Sequence, residues 1–382
     1  MAKIAFFTER LPSNDDDISL FSGTLIQSLG DQHHDIRIFT TDDGSDWPAP
    51  HSRIEIVRPF RKWSWWETAK LIPMLTIDSP EIIHIIQPRH QSLLSFGPSP
   101  INFVSALSSF PTKPRIVLSL YELDKRALDK LRPTLQVASL ILVRTQSQKA
   151  ELESDWQVAG SRIAVIPALA LPALSNFETE TLPETLSTLV ERSDRYVFVP
   201  GGLDQHSNLD ILFKTLGALA QEDDGLNFVL QGSWSDLPIS KRSEWQDKFK
   251  SNSAAGRTLL TGSLSESTES YLFRNAPVVL LATLNPNKLK FWKHSRRALS
   301  VGSPLVLASS QVSADELDWS EMGATLNGNS ASEIASACLS FLNDEELRHQ
   351  ARERAVELAD RQVTDQPANH LTRLYLELLN RR

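Results

Sequence analysis

Short apolar runs alternate with longer amphipathic stretches from the start of this chain. Ile4-Ala-Phe-Phe7 is followed by a helical spacing through Ile18, Phe21, Leu25 and Leu29, and then by Ile36-Arg-Ile-Phe-Thr40. Runs this short, without polar alternation, read as strands buried on both faces, and the helical spacing reads as one apolar stripe. The order predicts a strand, helix, strand unit. Further buried strands are expected at Ile82-Ile-His-Ile-Ile86, Ile116-Val-Leu-Ser-Leu120, Leu140-Ile-Leu-Val143 and Ile163-Ala-Val-Ile166. Between Ala170 and Asp194 the strand pattern stops and Pro172, Pro183 and many Thr, Ser and Glu residues appear, which fits a connection between domains.

A second set starts at Tyr196-Val-Phe-Val199. It runs through a helix near Leu209 to Leu219, a strand at Phe228-Val-Leu230 and a turn at Gly232. Strands follow near Thr258-Leu-Leu260, Val278-Val-Leu-Leu281 and Leu305-Val-Leu307. After Ile334 the pattern is helical, and the last helix, around Ala368 to Leu379, puts Leu371, Leu374, Tyr375 and Leu378 on one stripe. The pattern predicts two α/β domains, 1–172 and 195–362, a linker at 173–194 and a terminal helix in 363–382. A length of 382 residues accommodates two cores of common size.

Composition adds exclusions. Apolar residues make up 41% and charged residues 23%, the values of an ordinary globular chain. A net charge of −8 leaves no broad basic face for phosphate neutralisation, so no nucleic-acid partner is expected. The single cysteine, Cys338, excludes an internal disulfide, and its spacing from Ile334, Phe341 and Leu342 suits the buried face of a helix. Thr8-Glu9-Arg10 cuts the first apolar run too short for a secretory signal, and no stretch approaches the roughly 20 apolar residues of a membrane span. The expected location is cytoplasmic, with peripheral contact at the inner face of the membrane as the variant reading.

Several phrases carry a family resemblance. Lys3-Ile-Ala-Phe-Phe-Thr-Glu-Arg-Leu-Pro12 looks like a first strand and loop, and Asp35-Ile-Arg-Ile-Phe-Thr40 like a second strand. Pro80-Glu-Ile-Ile-His84, Val165-Ile-Pro167, Val199-Pro-Gly-Gly-Leu203 with Leu209-Asp-Ile-Leu212, Leu260-Thr-Gly262 and Ala298-Leu-Ser-Val-Gly-Ser-Pro-Leu-Val306 follow in order. Through them the chain resembles the GT-B glycosyltransferases, and among these the family 4 retaining nucleotide-sugar enzymes. The resemblance implies an α/β GT-B fold of two Rossmann-like, doubly wound domains facing a cleft. The first domain would be the acceptor side, the second the donor side, and the terminal helix would cross back to the first.

The same resemblance implies a degenerate donor site. The family grips the donor diphosphate with an Arg and a Lys after the first strand of the second domain. The matching positions here are Gly202, beside Gly201, and Ser207. Two glutamates that bracket the family's donor correspond to Leu289 and Arg297, and neither side chain can accept a sugar or ribose hydroxyl bond. The family's Asn-Gly after the first domain's final strand is Ala168-Leu169, and its first-loop glycines are replaced by Asn14-Asp15-Asp16-Asp17, whose carboxylates would repel a diphosphate. Loss of this many charges from one transition state costs many orders of magnitude in rate.

Other clusters remain. Lys288, Lys290, Lys293, His294, Arg296 and Arg297 fall within ten residues. They read either as an anion site, with Lys293 and Arg297 one helical turn apart, or as a helix start whose charges face water or pair with Asp15 to Asp17. Arg58-Pro-Phe-Arg61-Lys62-Trp63-Ser-Trp65-Trp66 reads as a protein-partner surface, a lipid interface or simple packing. On the acceptor side, His90 and Glu122 follow strands, and Asp16 or Asp17 caps the helix near Ile18, worth about 0.5 to 2 kcal/mol. His84 reads as a core histidine and His33-His34 as a turn. No metal is expected, because no spaced ligand set exists.

Two functional readings follow. In the first, a family 4-like GT-B protein has lost ordinary nucleotide-sugar transfer and acts as an accessory, partner-binding or ligand-sensing protein, its partner a glycosyltransferase or another subunit. In the second it is an active, diverged glycosyltransferase in polysaccharide, glycolipid or glycoprotein synthesis. A nucleotide sugar is then its donor; the first reading requires no cofactor. Whether the protein is an enzyme stays open at this point.

Overall fold

The computed structural model describes residues 2–8, 11, 17–41, 47, 51–60, 71–87, 113–123, 125–166, 182–192, 195–203, 208–281, 289–308, 323–326, 330–364 and 367–380. Contacts divide the chain into two compact units, Met1–Leu169 with Asp365–Arg382, and Ala170–Thr364.

In the first unit, β1 (Lys3–Phe7) leads through α1 (Asp17–Asp31) to β2 (Asp35–Thr41) and β3 (Ile54–Phe60). Next come α2 (Leu71–Asp78), β4 (Ile82–Ile86), β5 (Arg115–Ser119), α3 (Lys125–Val137), β6 (Leu140–Val143), α4 (Gln146–Ser154) and β7 (Ile163–Val165). The strands form one sheet in the order β3-β2-β1-β4-β5-β6-β7, every pair parallel. Ile4 stands opposite Ile36 on one side and Ile82 on the other. Every residue of β4 and β6 is buried, which is why their sequences carry no polar alternation.

The second unit begins with α5 (Glu184–Arg192), β8 (Tyr196–Leu203), α6 (Leu209–Glu222), β9 (Asn227–Gly232), α7 (Ile239–Lys250) and β10 (Thr258–Leu260). It continues with α8 (Glu266–Asn275), β11 (Val278–Leu281), α9 (Leu289–Val301), β12 (Leu305–Ala308), β13 (Gly323–Leu326), α10 (Ala331–Asn343) and α11 (Glu345–Thr364). Its sheet runs β10-β9-β8-β11-β12-β13, again all parallel. Local signals start the helices: Asn208 Oδ1 accepts from the Ile211 N–H at the head of α6, and Ser265 Oγ accepts from the Thr268 N–H at the head of α8. The core lies between the sheet and α6 and α10, where Leu212, Leu216, Phe228, Leu230, Ile334 and Cys338 pack together. Burial pushes the Cys338 thiol up to about 12, so this cysteine is an inert apolar filler.

The final helix, α12 (Pro367–Asn380), belongs to the first unit and buries Ala368, Leu371, Tyr375 and Leu378. Two histidines hold it. His34, fully buried, accepts from the Ala2 N–H through Nδ1 at 3.2 Å, leaving Nε2, 3.0 Å from Thr372 Oγ1, as its donor. His84, also fully buried, lies 2.5 Å from the Tyr375 hydroxyl through Nδ1 and 2.7 Å from Ser119 Oγ through Nε2. Both hydroxyls can donate or accept, so either neutral tautomer of His84 is satisfied. Burial lowers His34 and, with the Arg144 charge, brings His84 down to about 3.

At four places the structure adds to the sequence reading. Arg58-Pro59-Phe60 ends β3, and because β3 is the edge of its sheet, Pro59 withholds no bond from a second neighbour. β13, which gave no strand signal, pairs with β12 so closely that a Cβ on Gly323 would sit 1.7 Å from the Leu305 carbonyl oxygen. The connecting stretch at 173–194 contains α5. Of the His33-His34 turn, His33 does take a positive φ of 65°, but His34 turns inward.

Replacing Tyr375 by Phe should leave one His84 nitrogen without a partner and cost the first unit about 1–3 kcal/mol in denaturant unfolding. His84 stays neutral in the folded unit down to about 3, whereas an unfolded histidine protonates near 6.5. The unfolded chain thus binds the extra proton between those values, and unfolding measured against pH should show stability falling as pH drops from about 6.5 towards 3. His84→Gln should flatten that part of the profile.

Candidate functional site

In an open parallel sheet, ligands bind beyond the carboxyl ends of the strands where the strand order reverses. In the second sheet that reversal lies between β8 and β11, and in the first between β1 and β4.

At the second sheet a continuous polar chain begins on the strand ends. The Gly201 N–H, in the last part of β8, donates to Gln231 Oε1 on β9 at 3.1 Å. That donor fixes the amide's orientation, so Gln231 Nε2 faces the other way and donates to Glu269 Oε1 at 3.3 Å. Glu269 sits in the first turn of α8 and is 3% exposed. From α9, Lys293 Nζ reaches within 3.9 Å of its Oε2 and His294 Nδ1 within 3.2 Å of its Oε1. One helical turn before Glu269, Glu266 Oε1 takes a hydrogen bond from Arg297 Nη2 at 2.6 Å. Two glutamates of α8 thus face three basic side chains of α9.

Burial sets the energetics here. Arg297 is 2% exposed and Arg296 fully buried, its guanidinium 5.3 Å from the Trp292 ring centre. Phe291 and Trp292 are buried on the same helix. Charges so placed are tolerated only when paired. Burial alone would push the Glu269 carboxyl up, but His294, Lys293 and Arg297 outweigh it and bring it down to about 2. The pairing is not geometrically complete. His294 Nδ1 is close to the carboxylate but not aligned for a hydrogen bond, and Arg297 Nε likewise has no hydrogen-bond partner among the described residues.

At the first sheet the strand ends are tied by two amides and one guanidinium. Gln87, just after β4, accepts from the N–H groups of Tyr121 at 2.6 Å and Glu122 at 3.0 Å and donates to the Glu122 carbonyl at 2.8 Å. Gln148 donates to the Tyr121 carbonyl and accepts from the Arg144 N–H. Arg144 donates to the Ile166 carbonyl, its guanidinium 4.0 Å from the Tyr121 ring centre. These three side chains lock the ends of β4 to β7 and leave the Glu122 side chain half-buried at the rim.

Of the residues singled out in the sequence, Gly201, Gly202, Lys293, Arg296 and Arg297 lie in the second unit, with Gly201, Lys293 and Arg297 in the polar chain or its ion pairs. The expectation that the α9 cations face water is corrected for His294, Arg296 and Arg297, which are buried, and the acids beside His294 and Arg297 come from α8. Ser207, Lys288, Asp16, His90 and Arg61, Lys62, Trp63, Trp65 and Trp66 lie outside the described residues. So do the side chains of Lys290 and Asp17, although the backbone places Lys290 in α9 and Asp17 at the start of α1. Sequence reasoning missed Gln231, Glu266 and Glu269. The Ser265 cap marks the helix that carries both acids, but nothing local pairs that helix with α9.

No protein-family model matches the sequence, and a search of the curated proteins finds no match. Solved structures are similar in fold. A glycosyltransferase from Rickettsia africae matches with a TM-score of 0.68 at 14% identity, covering 100% of this chain and 99% of that one. Anabaena HepE in complex with UDP and glucose matches with a TM-score of 0.68 at 15% identity, covering 99% and 100%. The catalytic domain of Arabidopsis thaliana starch synthase IV, bound to ADP and acarbose, gives 0.70 at 11% identity over 100% of both chains. The chain has the α/β GT-B fold of these glycosyltransferases. At such identities the likeness is one of fold.

Glu269→Gln should remove the buried carboxylate that faces Lys293 and His294 and cost the second unit about 3–5 kcal/mol in denaturant unfolding. Because the folded carboxyl is held at about 2 against an ordinary 4.5, its contribution is present above about 4.5 and lost as pH falls towards 2. The variant should lack that acid-dependent loss.

Proposed function

We propose that this chain is a family 4-like GT-B protein that has lost ordinary nucleotide-sugar transfer and acts as an accessory, partner-binding or ligand-sensing protein. One observation carries the reading: at the reversal of the second sheet, Arg297 is engaged by Glu266, and Lys293 and His294 by Glu269. The family resemblance supports it from the sequence side, since the diphosphate-gripping positions are Gly202 and Ser207 and the paired-glutamate positions are Leu289 and Arg297. A guanidinium already bonded to a carboxylate neither accepts ribose hydroxyls nor offers its full charge to a phosphate. On this reading the basic, tryptophan-rich segment from Arg58 to Trp66 is the first unit's contact surface, for a protein partner or the inner membrane face.

The alternative is an active, diverged glycosyltransferase that uses a nucleotide sugar. One feature favours it: Gly201, partly exposed and at a positive φ of 61°, leaves that point of β8 without a side chain, where a ligand's phosphates can approach backbone. Calorimetric titration of the full chain with UDP-, GDP- and ADP-sugars and the free nucleotides separates the two. The accessory reading expects no heat with any of them. Micromolar binding of one nucleotide class would overturn it in favour of the enzyme.

A further inference from the structure

We infer that Glu266 and Glu269 are built-in anions: they occupy, from within the chain, a seat that would otherwise take a phosphate-type oxyanion. The inference rests on the accessory reading and says how the site was closed. Three observations meet at one place. The seat lies at the strand-order reversal of the second sheet and is hydrogen-bonded to it through Gln231 and the Gly201 N–H. Its donors are those of an oxyanion site, namely a guanidinium, an ammonium and an imidazole. Two of their nitrogens, Arg297 Nε and His294 Nδ1, are buried and keep hydrogen-bonding capacity that neither carboxylate meets in good geometry. A carboxylate fixed on a helix cannot surround these donors as the three oxygens of a phosphate can.

The two acids are not equivalent. Glu269 is the buried one, held by two partners on α9 and by Gln231. The Glu266 side chain is 21% exposed and holds Arg297 through a single nitrogen. Glu266→Gln keeps an amide oxygen beside the guanidinium while removing the charge, and Glu266 is the more exposed acid, so it should release Arg297 at a lower cost in stability than removing Glu269.

The test titrates inorganic pyrophosphate and UDP into the full-length protein and into the E266Q and E269Q variants, each first shown to unfold cooperatively. The wild type should give no heat. E266Q should bind pyrophosphate at least about tenfold more tightly than the wild type, the equivalent of one charge-assisted hydrogen bond, and added salt should weaken it. The double variant E266Q/R297Q should lose that gain. If folded E266Q binds no better than the wild type, the built-in anion idea is wrong while the accessory reading stands. E266Q is sufficient for this decision even where E269Q does not fold. Tight binding of UDP by the wild type would instead remove the accessory reading itself.

Discussion

A parallel sheet cannot keep one face in water, because the crossovers that make its strands parallel also lay helices across it. Both sheets of this protein obey that constraint throughout. It explains why Ile82 to Ile86 and Leu140 to Val143 are unbroken apolar runs, and why α9 carries Phe291, Trp292 and Leu299 into the interior. It also leaves only the strand ends open to chemistry. In open parallel sheets, small molecules gather beyond the carboxyl ends of the strands where the strand order reverses.

The burial of α9 then decides the electrostatics. This helix is rich in basic residues, and its position among apolar neighbours takes His294, Arg296 and Arg297 away from bulk water. A buried charge without a partner costs several kcal/mol, so acids had to come from the neighbouring helix, and Glu266 and Glu269 on α8 supply them. The outcome is that Arg297 and His294 each have an acid beside them in the interior. The first unit meets the same demand differently: Gln87, Gln148 and the neutral His34 and His84 satisfy buried polar groups without net charge. Its terminal helix is fastened by hydroxyls of Thr372 and Tyr375.

Fold and function separate cleanly here. The GT-B architecture follows from two reversing parallel sheets and is met again in glycosyltransferases at 11 to 15% identity. That architecture hosts a site without dictating its charges. The present charges, two carboxylates facing three basic groups, are the property of this chain, and they carry the proposal that donor transfer has been given up.

The sequence by itself determined the elements and most of their burial. The 3.6-residue periodicity of the helices and the continuous apolar runs at Ile4, Ile82, Val278 and Leu305 are local properties of the chain and need no partner to be read. Cys338 and His84 were legible as core for the same reason. β3 was hidden by Pro59, tolerable only because tertiary structure puts that strand at an edge, and β13 by its small residues, since Gly323 is selected by the closeness of Leu305 rather than by strand propensity. The candidate site was half legible: its cations stand together from Lys288 to Arg297, but the acids that neutralise them lie more than twenty residues earlier and are brought across by the packing of α8 on α9. Only that packing decided whether the cluster is a solvated face, an open anion site or a filled one, because the sign and strength of buried electrostatics depend on neighbours that chain order does not specify.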